Sequence, residues 1–221
     1  MTLVSAHRCL TVPDIEAAIA LGADYVEFDV QRCADGSLVL HHDPVEVAPP
    51  GAVPYAEALD LLAGRIRLHL DLKVVGGEVP IVAAAVARLG ADQLLVTTLE
   101  DEGVRTVREW ADAQGLELLV GLSLGRGLRD IPVLHGLRIR LTELFPRRRY
   151  RDAGATVVVA HHWLARLQVR RFARRRGLPL LVWTVDTPRS LAYWMRPGRA
   201  WLVTTNEPAL AMRLRADRLP T

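Results

Sequence analysis

"YVEFDV" at residues 25–30 is the stretch that decides the fold. Val26, Phe28 and Val30 alternate with Glu27 and Asp29, and side chains two apart on a strand share a face. One face is therefore apolar and the other carries two carboxylates. On a half-exposed strand the acids would simply meet water. In this chain strands alternate with helices, and parallel strands in such proteins are covered on both faces. The acids then need a reason to be inside.

Reading outward from that strand, "LVSAHR" (3–8) precedes it as a strand, and "PDIEAAIALG" (13–22) lies between as a helix. Pro13 suits that helix's first turn and Gly22 its end. After the turn "ADG" comes a short strand, "SLVLHHD" (37–43), then a Pro-rich stretch over 44–54 and a short helix near 55–63. Strands are predicted at 66–74, 93–98, 116–124, 155–162, 178–185 and 200–205. Helices are predicted at 80–90, 101–115, 164–177, 188–195 and 207–219, with an irregular helix around 137–152 inside the less regular stretch 125–154. About eight β/α steps plus one extra strand predict an α/β protein, a (β/α)8 TIM barrel; a doubly wound open sheet is the alternative. No linker, low-complexity tract or shift in composition divides residues 1–221, so one domain is expected.

Composition narrows the setting. Cys9 and Cys33 suggest neither a disulfide framework nor a paired-cysteine zinc site. No apolar run reaches the length of a membrane span, and "MTLVSAHRCL" lacks the regions of a signal peptide, so a cytoplasmic setting is expected. Net charge is only +3, yet "PRRRYR" (146–151) and "RRFARRRG" (170–177) concentrate base. A charge run of this kind reads first as a solvated helix face, and second as weak attraction to anionic lipid. Aromatic residues do not interleave with these arginines, so nucleic acid is not expected as a partner.

A barrel of this type keeps its active site at the C-terminal ends of its strands. Chemically capable residues crowd those ends: His7-Arg8, Glu27 with Asp29, His41-His42-Asp43, Asp71-Leu72-Lys73, Trp183-Thr184 and Thr205-Asn206. Lys73 is the single lysine beside 27 arginines, which points to a position needing a compact ammonium. Glu27, Asp29 and Asp71 are expected at one mouth, where like charges repel and raise one another's pKa. A divalent cation resolves that, and a hard-oxygen set suits Mg²⁺ or Ca²⁺. Internal salt bridges to Arg8 and Lys73 are the competing reading. His7 and His42 come from different strands and are candidates for general acid and base. Arg8 can grip an anionic oxygen. His41 should face away from the side His42 uses, and His69, His135, His161 and His162 carry no assigned role.

Together "HR" after the first strand, "GADYVEFDV", "DGSLVLHHDP", "LDLK" and "VWTVD" resemble the glycerophosphodiester phosphodiesterase family, a TIM-barrel family of the phospholipase-C-like phosphodiesterases. The likeness runs nearly the whole length and is most specific over 22–44. It implies hydrolysis of a small glycerophosphodiester to an alcohol and sn-glycerol 3-phosphate or a related phosphomonoester. It implies His7 and His42 as the acid/base pair, and Glu27, Asp29 and Asp71 as ligands of one divalent cation. Arg8 and Lys73 would hold the phosphate, and Trp183 would line the substrate pocket. Several positions depart from the family pattern. Cys9 stands where glycine usually follows "HR", and "CLTVPDIE" lacks a Pro-Glu-Asn-Thr stretch. Asp71 replaces a glutamate, the segment between Asp43 and Asp71 is short, and "TTNEP" replaces "TD-x-P". Asn206 is expected to cap the last helix, with Pro208 in its first turn. A lysophospholipase-D-like lipid enzyme touching membrane, and a silent barrel that only binds a phosphorylated ligand, are the rival readings.

Overall fold

Continuous Val, Leu and Ile runs need cover on both faces, and the chain supplies it by closing its strands into a ring walled by helices. The structure is a computed structural model and describes residues 1–125, 127 and 132–217. Its strands are β1 (Leu3–Ala6), β2 (Tyr25–Arg32), β3 (Leu38–Leu40), β4 (Arg67–Leu72), β5 (Leu94–Thr98), β6 (Leu119–Leu124), β7 (Val157–His161), β8 (Leu180–Trp183) and β9 (Leu202–Thr205). Its helices are α1 (Val12–Leu21), α2 (Tyr55–Leu62), α3 (Glu78–Leu89), α4 (Asp101–Ala113), α5 (Val133–Leu144), α6 (Arg147–Ala153), α7 (His162–Leu164), α8 (Arg170–Arg176), α9 (Pro188–Trp194) and α10 (Pro208–Ala216). A π-helical segment, Ala165–Val169, joins α7 to α8 into one continuous helical stretch.

The sheet order is β1-β9-β8-β7-β6-β5-β4-β2-β3, and parallel pairing of β1 with β2 closes eight strands into a barrel. β3 adds to β2 in antiparallel register, Val30 opposite Leu40. The expected (β/α)8 barrel with one extra strand is therefore the fold, and the open sheet is not.

The alternation in β2 now has its explanation. Val26, Phe28 and Val30 face outward into the large apolar layer between barrel and helices. Tyr25 faces inward, into a second cluster with Leu95, Val157, Val159, Leu181 and Leu202 that fills the barrel base. Above that base the inward positions turn polar: Ser5, Glu27, Asp29, His69, Thr97, Ser123 and Thr204 are all buried. Gly121 is needed at this level, since a Cβ there would lie 2.4 Å from the Val159 side chain.

Helix ends follow local chemistry. The Thr11 hydroxyl accepts from the Asp14 amide ahead of Pro13, and Gly22 closes α1 at φ 73°. Some boundaries differ from the sequence reading. The strand expected over 37–43 pairs only over Leu38–Leu40, which leaves His41 and His42 free to turn. The helix expected around 137–152 is two, α5 and α6, broken at Phe145–Pro146, because a residue before proline is pushed away from helical backbone. His162 starts a helix rather than ending a strand, and β8 is shorter than 178–185. Residues 218–219 of the expected last helix, and 126 and 128–131 of the irregular stretch, lie outside the described residues. No helix of the described residues is long and apolar enough to cross a membrane.

Candidate active site

The first strand hands the chain to His7 and Arg8. Arg8 adopts φ 54°, the left-handed region that side chains other than glycine seldom occupy. That turn aims the Arg8 backbone N–H at Glu27 Oε2, 2.6 Å away, and brings its guanidinium 2.6 Å from His42 Nε2. From β2, Glu27 and Asp29 rise in one row, and β4 sets Asp71 beside Asp29 in register. One oxygen from each of these three carboxylates lies within 4.8 Å of the others. Burial pushes the Glu27 carboxyl well above the usual carboxylate range, and Asp29 and Asp71 push it further.

Lys73 lies just past β4, not in it. Its Nζ is 2.5 Å from Asp71 Oδ2 and 3.1 Å from Asp29 Oδ1. Burial opposes its charge, but the two carboxylates outweigh that and raise its pKa. The salt bridges weighed from the sequence thus exist for Lys73, alongside a carboxylate cluster that could hold a cation. For Glu27, Arg8 contributes its backbone N–H.

Two imidazoles flank the cluster. His42 Nδ1 lies 2.6 Å from Asp29 Oδ2. A carboxylate only accepts, so Nδ1 carries the proton and Nε2 is left as the acceptor for Arg8. His7 Nδ1 lies 2.8 Å from Asn206 Oδ1. Asp186 fixes which way that amide points, because Asn206 Nδ2 donates to Asp186 Oδ2 at 2.8 Å and the Asn206 backbone N–H donates to Oδ1 at 2.9 Å. His7 Nδ1 is therefore the donor, and its Nε2, 3.9 Å from Glu27, is the bare nitrogen. Burial lowers the His7 pKa in spite of the Asn206 bond. Asn206 is thus not the expected cap of α10. That position belongs to Glu207, and Asn206 turns inward instead.

Below them runs a buried relay. The Thr97 hydroxyl donates to Asp71 Oδ1 at 2.9 Å, so it can accept from His69 Nε2–H at 3.1 Å, and Ser5 Oγ meets His69 Nδ1 at 3.3 Å. Burial drops the His69 pKa to about 4, so the ring is neutral and orients Thr97 beneath Asp71. His41 donates to the Asp43 carbonyl at 2.8 Å, away from the cluster as expected.

These groups surround a cavity of about 110 Å³, which Trp183 and Thr184 also line. Trp183 Nε1 and Thr204 Oγ1 are buried in its wall without a hydrogen-bond partner among the described residues. Every residue given a catalytic, phosphate-binding, pocket-lining or metal role from the sequence lines this one mouth: His7, Arg8, Glu27, Asp29, His42, Asp71, Lys73 and Trp183. Sequence reasoning missed Asp186, His69 and Thr97, and placed Asn206 at a strand end but gave it a capping role. The signal available for Asn206 was its place directly after the last strand. Its partner His7 is 199 positions away, and spacing alone could not join them.

A closed parallel barrel defines the class, a TIM barrel, and its C-terminal mouth holds clustered carboxylates between two imidazoles, groups that could bind a cation or move a proton. The family model for the glycerophosphoryl diester phosphodiesterase family matches residues 10–61, which contain Glu27, Asp29 and His42. The family resemblance carried by the motifs is thereby borne out. Among solved structures, a glycerophosphodiester phosphodiesterase from Agrobacterium tumefaciens str. C58 is 20% identical, with coverage of 98% of this chain and 100% of that one and a TM-score of 0.73. One from Parabacteroides distasonis is 18% identical, with coverage of 99% and 98% and a TM-score of 0.73. A phosphodiesterase from Oleispira antarctica, solved with the product sn-glycerol-3-phosphate, is 17% identical, with coverage of 97% and 96% and a TM-score of 0.69. At these identities the likeness establishes the shared fold. No curated protein matches the chain.

Proposed function

We propose that the chain, acting as one domain, hydrolyses a glycerophosphodiester-type phosphodiester to an alcohol and sn-glycerol 3-phosphate or a related phosphomonoester. The observation that carries this reading is the convergence of three carboxylates within 4.8 Å, with His7 and His42 on either side. It agrees with the family whose model matches and with the product named in the Oleispira antarctica structure.

Glu27, Asp29 and Asp71 would hold one divalent cation, Mg²⁺ or Ca²⁺. The set fits: the donors are all hard oxygens, and the burial that raises the Glu27 pKa, with Asp29 and Asp71 adding to it, is what a cation would offset. When bound, such an ion neutralises charge on the phosphate oxygens.

The residues of the chain divide the remaining work. His7 is partnered by a neutral amide and burial favours its uncharged form, so its bare Nε2 suits proton removal from an attacking hydroxyl of the substrate. His42 is partnered by the Asp29 carboxylate, which favours the charged ring; once Arg8 turns from Nε2 to the phosphate, that nitrogen can take up a proton and pass it to the departing alcohol oxygen. The new P–O bond forms as the bond to the alcohol breaks, and water then opens the cyclic phosphate with the two rings exchanging roles. Arg8, which lies at His42, would grip an equatorial phosphate oxygen. Lys73 grips Asp29 and Asp71, and would reach phosphate by sharing its remaining donor. Trp183 Nε1 and Thr204 Oγ1 offer unused polar atoms to the substrate. Asn206 and Asp186 hold His7 in its tautomer and are positioning residues.

The test is release of alcohol from a panel of water-soluble glycerophosphodiesters, with Mg²⁺, with Ca²⁺ and with chelator. Turnover should need the cation and should collapse in His42→Ala. Undiminished turnover in that folded variant, or turnover indifferent to chelation, counts against the reading.

A further inference from the structure

Charge in this chain is segregated. Residues 132–177 hold twelve arginines against two acids, Glu143 and Asp152, while the rest of the chain holds sixteen bases against twenty-three acids. The same segment carries seven of the large apolar side chains most exposed among the described residues: Val133, Leu134, Leu137, Leu141, Phe145, Trp163 and Leu167. Val133 and Leu134 are 87% and 84% exposed. On α5, positions 133, 134, 137 and 141 fall within an arc of about 100°, so they form one outward stripe. Arg138 flanks it on one side and Arg140 on the other, the latter stacked 5.2 Å over the Trp163 ring.

This surface adjoins the mouth. Glu143 of α5 accepts from the Gly125 amide, just past the end of β6, and pairs with Arg140. Trp163 follows β7, and the His161 ring connects it edge-on to Trp183 in the cavity wall. Beside α5, a cavity of about 280 Å³ has Phe145 and Phe172 among its lining and Arg147, Arg171 and Arg175 around them.

We propose that α5 and the helical stretch 162–176 form a docking surface for an anionic lipid bilayer, which presents the mouth to amphiphilic phosphodiesters. The second part rests on the hydrolase reading above. Apolar side chains bordered by arginines match an interface that is oily below and anionic above. Charge complementarity selects this occupant. A second copy of the chain would set two strongly cationic faces against each other, which repel. Duplex nucleic acid would satisfy the arginines but leave the exposed leucines and valines in water.

The experiment is sedimentation of the intact chain with phosphatidylcholine vesicles, with and without phosphatidylglycerol, at low and high salt. Binding should be about ten-fold stronger or more with the anionic lipid and should fall as salt screens the arginines. Leu134→Glu/Leu137→Glu, two exposed positions outside the catalytic machinery, should lower binding on the order of ten-fold. Turnover of a water-soluble glycerophosphodiester should be unchanged in that variant. Equal binding to both vesicle types, or none to anionic vesicles at low salt, overturns the proposal. So does a concentration-dependent dimer, or duplex DNA binding, found in place of vesicle binding. If no variant hydrolyses anything, the hydrolase reading fails while sedimentation still decides the docking surface.

Discussion

The two arcs of the barrel mouth are unlike. On β1, β2, β4, β5 and β9 the inward face climbs from an apolar base to Ser5, Glu27, Asp29, His69, Asp71, Thr97 and Thr204. On β6, β7 and β8 it climbs through Gly121, Val159 and Leu181 to Ser123, His161 and Trp183, and the helices beyond carry far more arginine than acid, with exposed leucine beside it. One arc gathers charge inward around a small cavity; the other turns its charge outward. A parallel barrel permits this because each strand end is an independent attachment point. Chemistry and recognition can therefore occupy different strands of one ring.

The sharpest way to break this comparison is to remove an imidazole from the acidic arc. His42→Ala should lower kcat by roughly 10²–10⁴-fold, the usual worth of a positioned acid or base. Thermal unfolding monitored alongside should show that the fold persists. Asn206→Ala comes next. It leaves His7 in place but frees its tautomer, so kcat should fall by about ten-fold or more with KM little changed, as for a loss felt in the transition state. Asn206→Gln should recover part of that loss, Asn206→Asp should not because it sets a second carboxylate against Asp186, and ¹⁵N shifts of the His7 ring should report the change of tautomer. Equal losses in kcat and stability would instead mark Asn206 as structural.

The other arc should respond in stability and not in rate. Tyr150 of α6 inserts between β6 and β7, donating to the Leu122 carbonyl and accepting from the Val159 amide at 3.1 Å. Tyr150→Phe removes both of these hydrogen bonds from paired strands and should cost about 1–3 kcal/mol in urea unfolding, with kcat on soluble substrate unaffected. Smallest of all should be Cys9 modification. Cys9 is buried and burial pushes its thiol up to about 12, so alkylating reagent at pH 8 should label it only after unfolding. Rapid labelling of the folded protein would mean that the first loop opens.

Much of the acidic arc was legible in the sequence because a strand's period is two. Once "YVEFDV" is a buried strand, Glu27 and Asp29 must share an inward face, and a barrel puts the ends of all strands at one mouth. Lys73 announced itself by being the single lysine. What stayed hidden depends on contacts between distant positions or on local turns. His7 meets Asn206 across the closure of the ring, and Asp186 in turn holds Asn206. His69 looked like any core histidine until Ser5 and Thr97 were placed on either side of it. The division of 137–152 into α5 and α6 follows from Pro146. The arginine runs read first as solvated face. Some do other work, such as Arg149 gripping Asp101, and the rest acquire meaning only when the apolar neighbours are seen.

Arg8 invites a last observation. Its left-handed backbone is a conformation that glycine would hold at lower energy, with about 1–2 kcal/mol at stake. Yet a glycine would keep the amide contact to Glu27 and lose the guanidinium at His42. Position 8 is thus a point where backbone ease and side-chain reach pull in opposite directions, and the residue found there keeps its reach into the mouth.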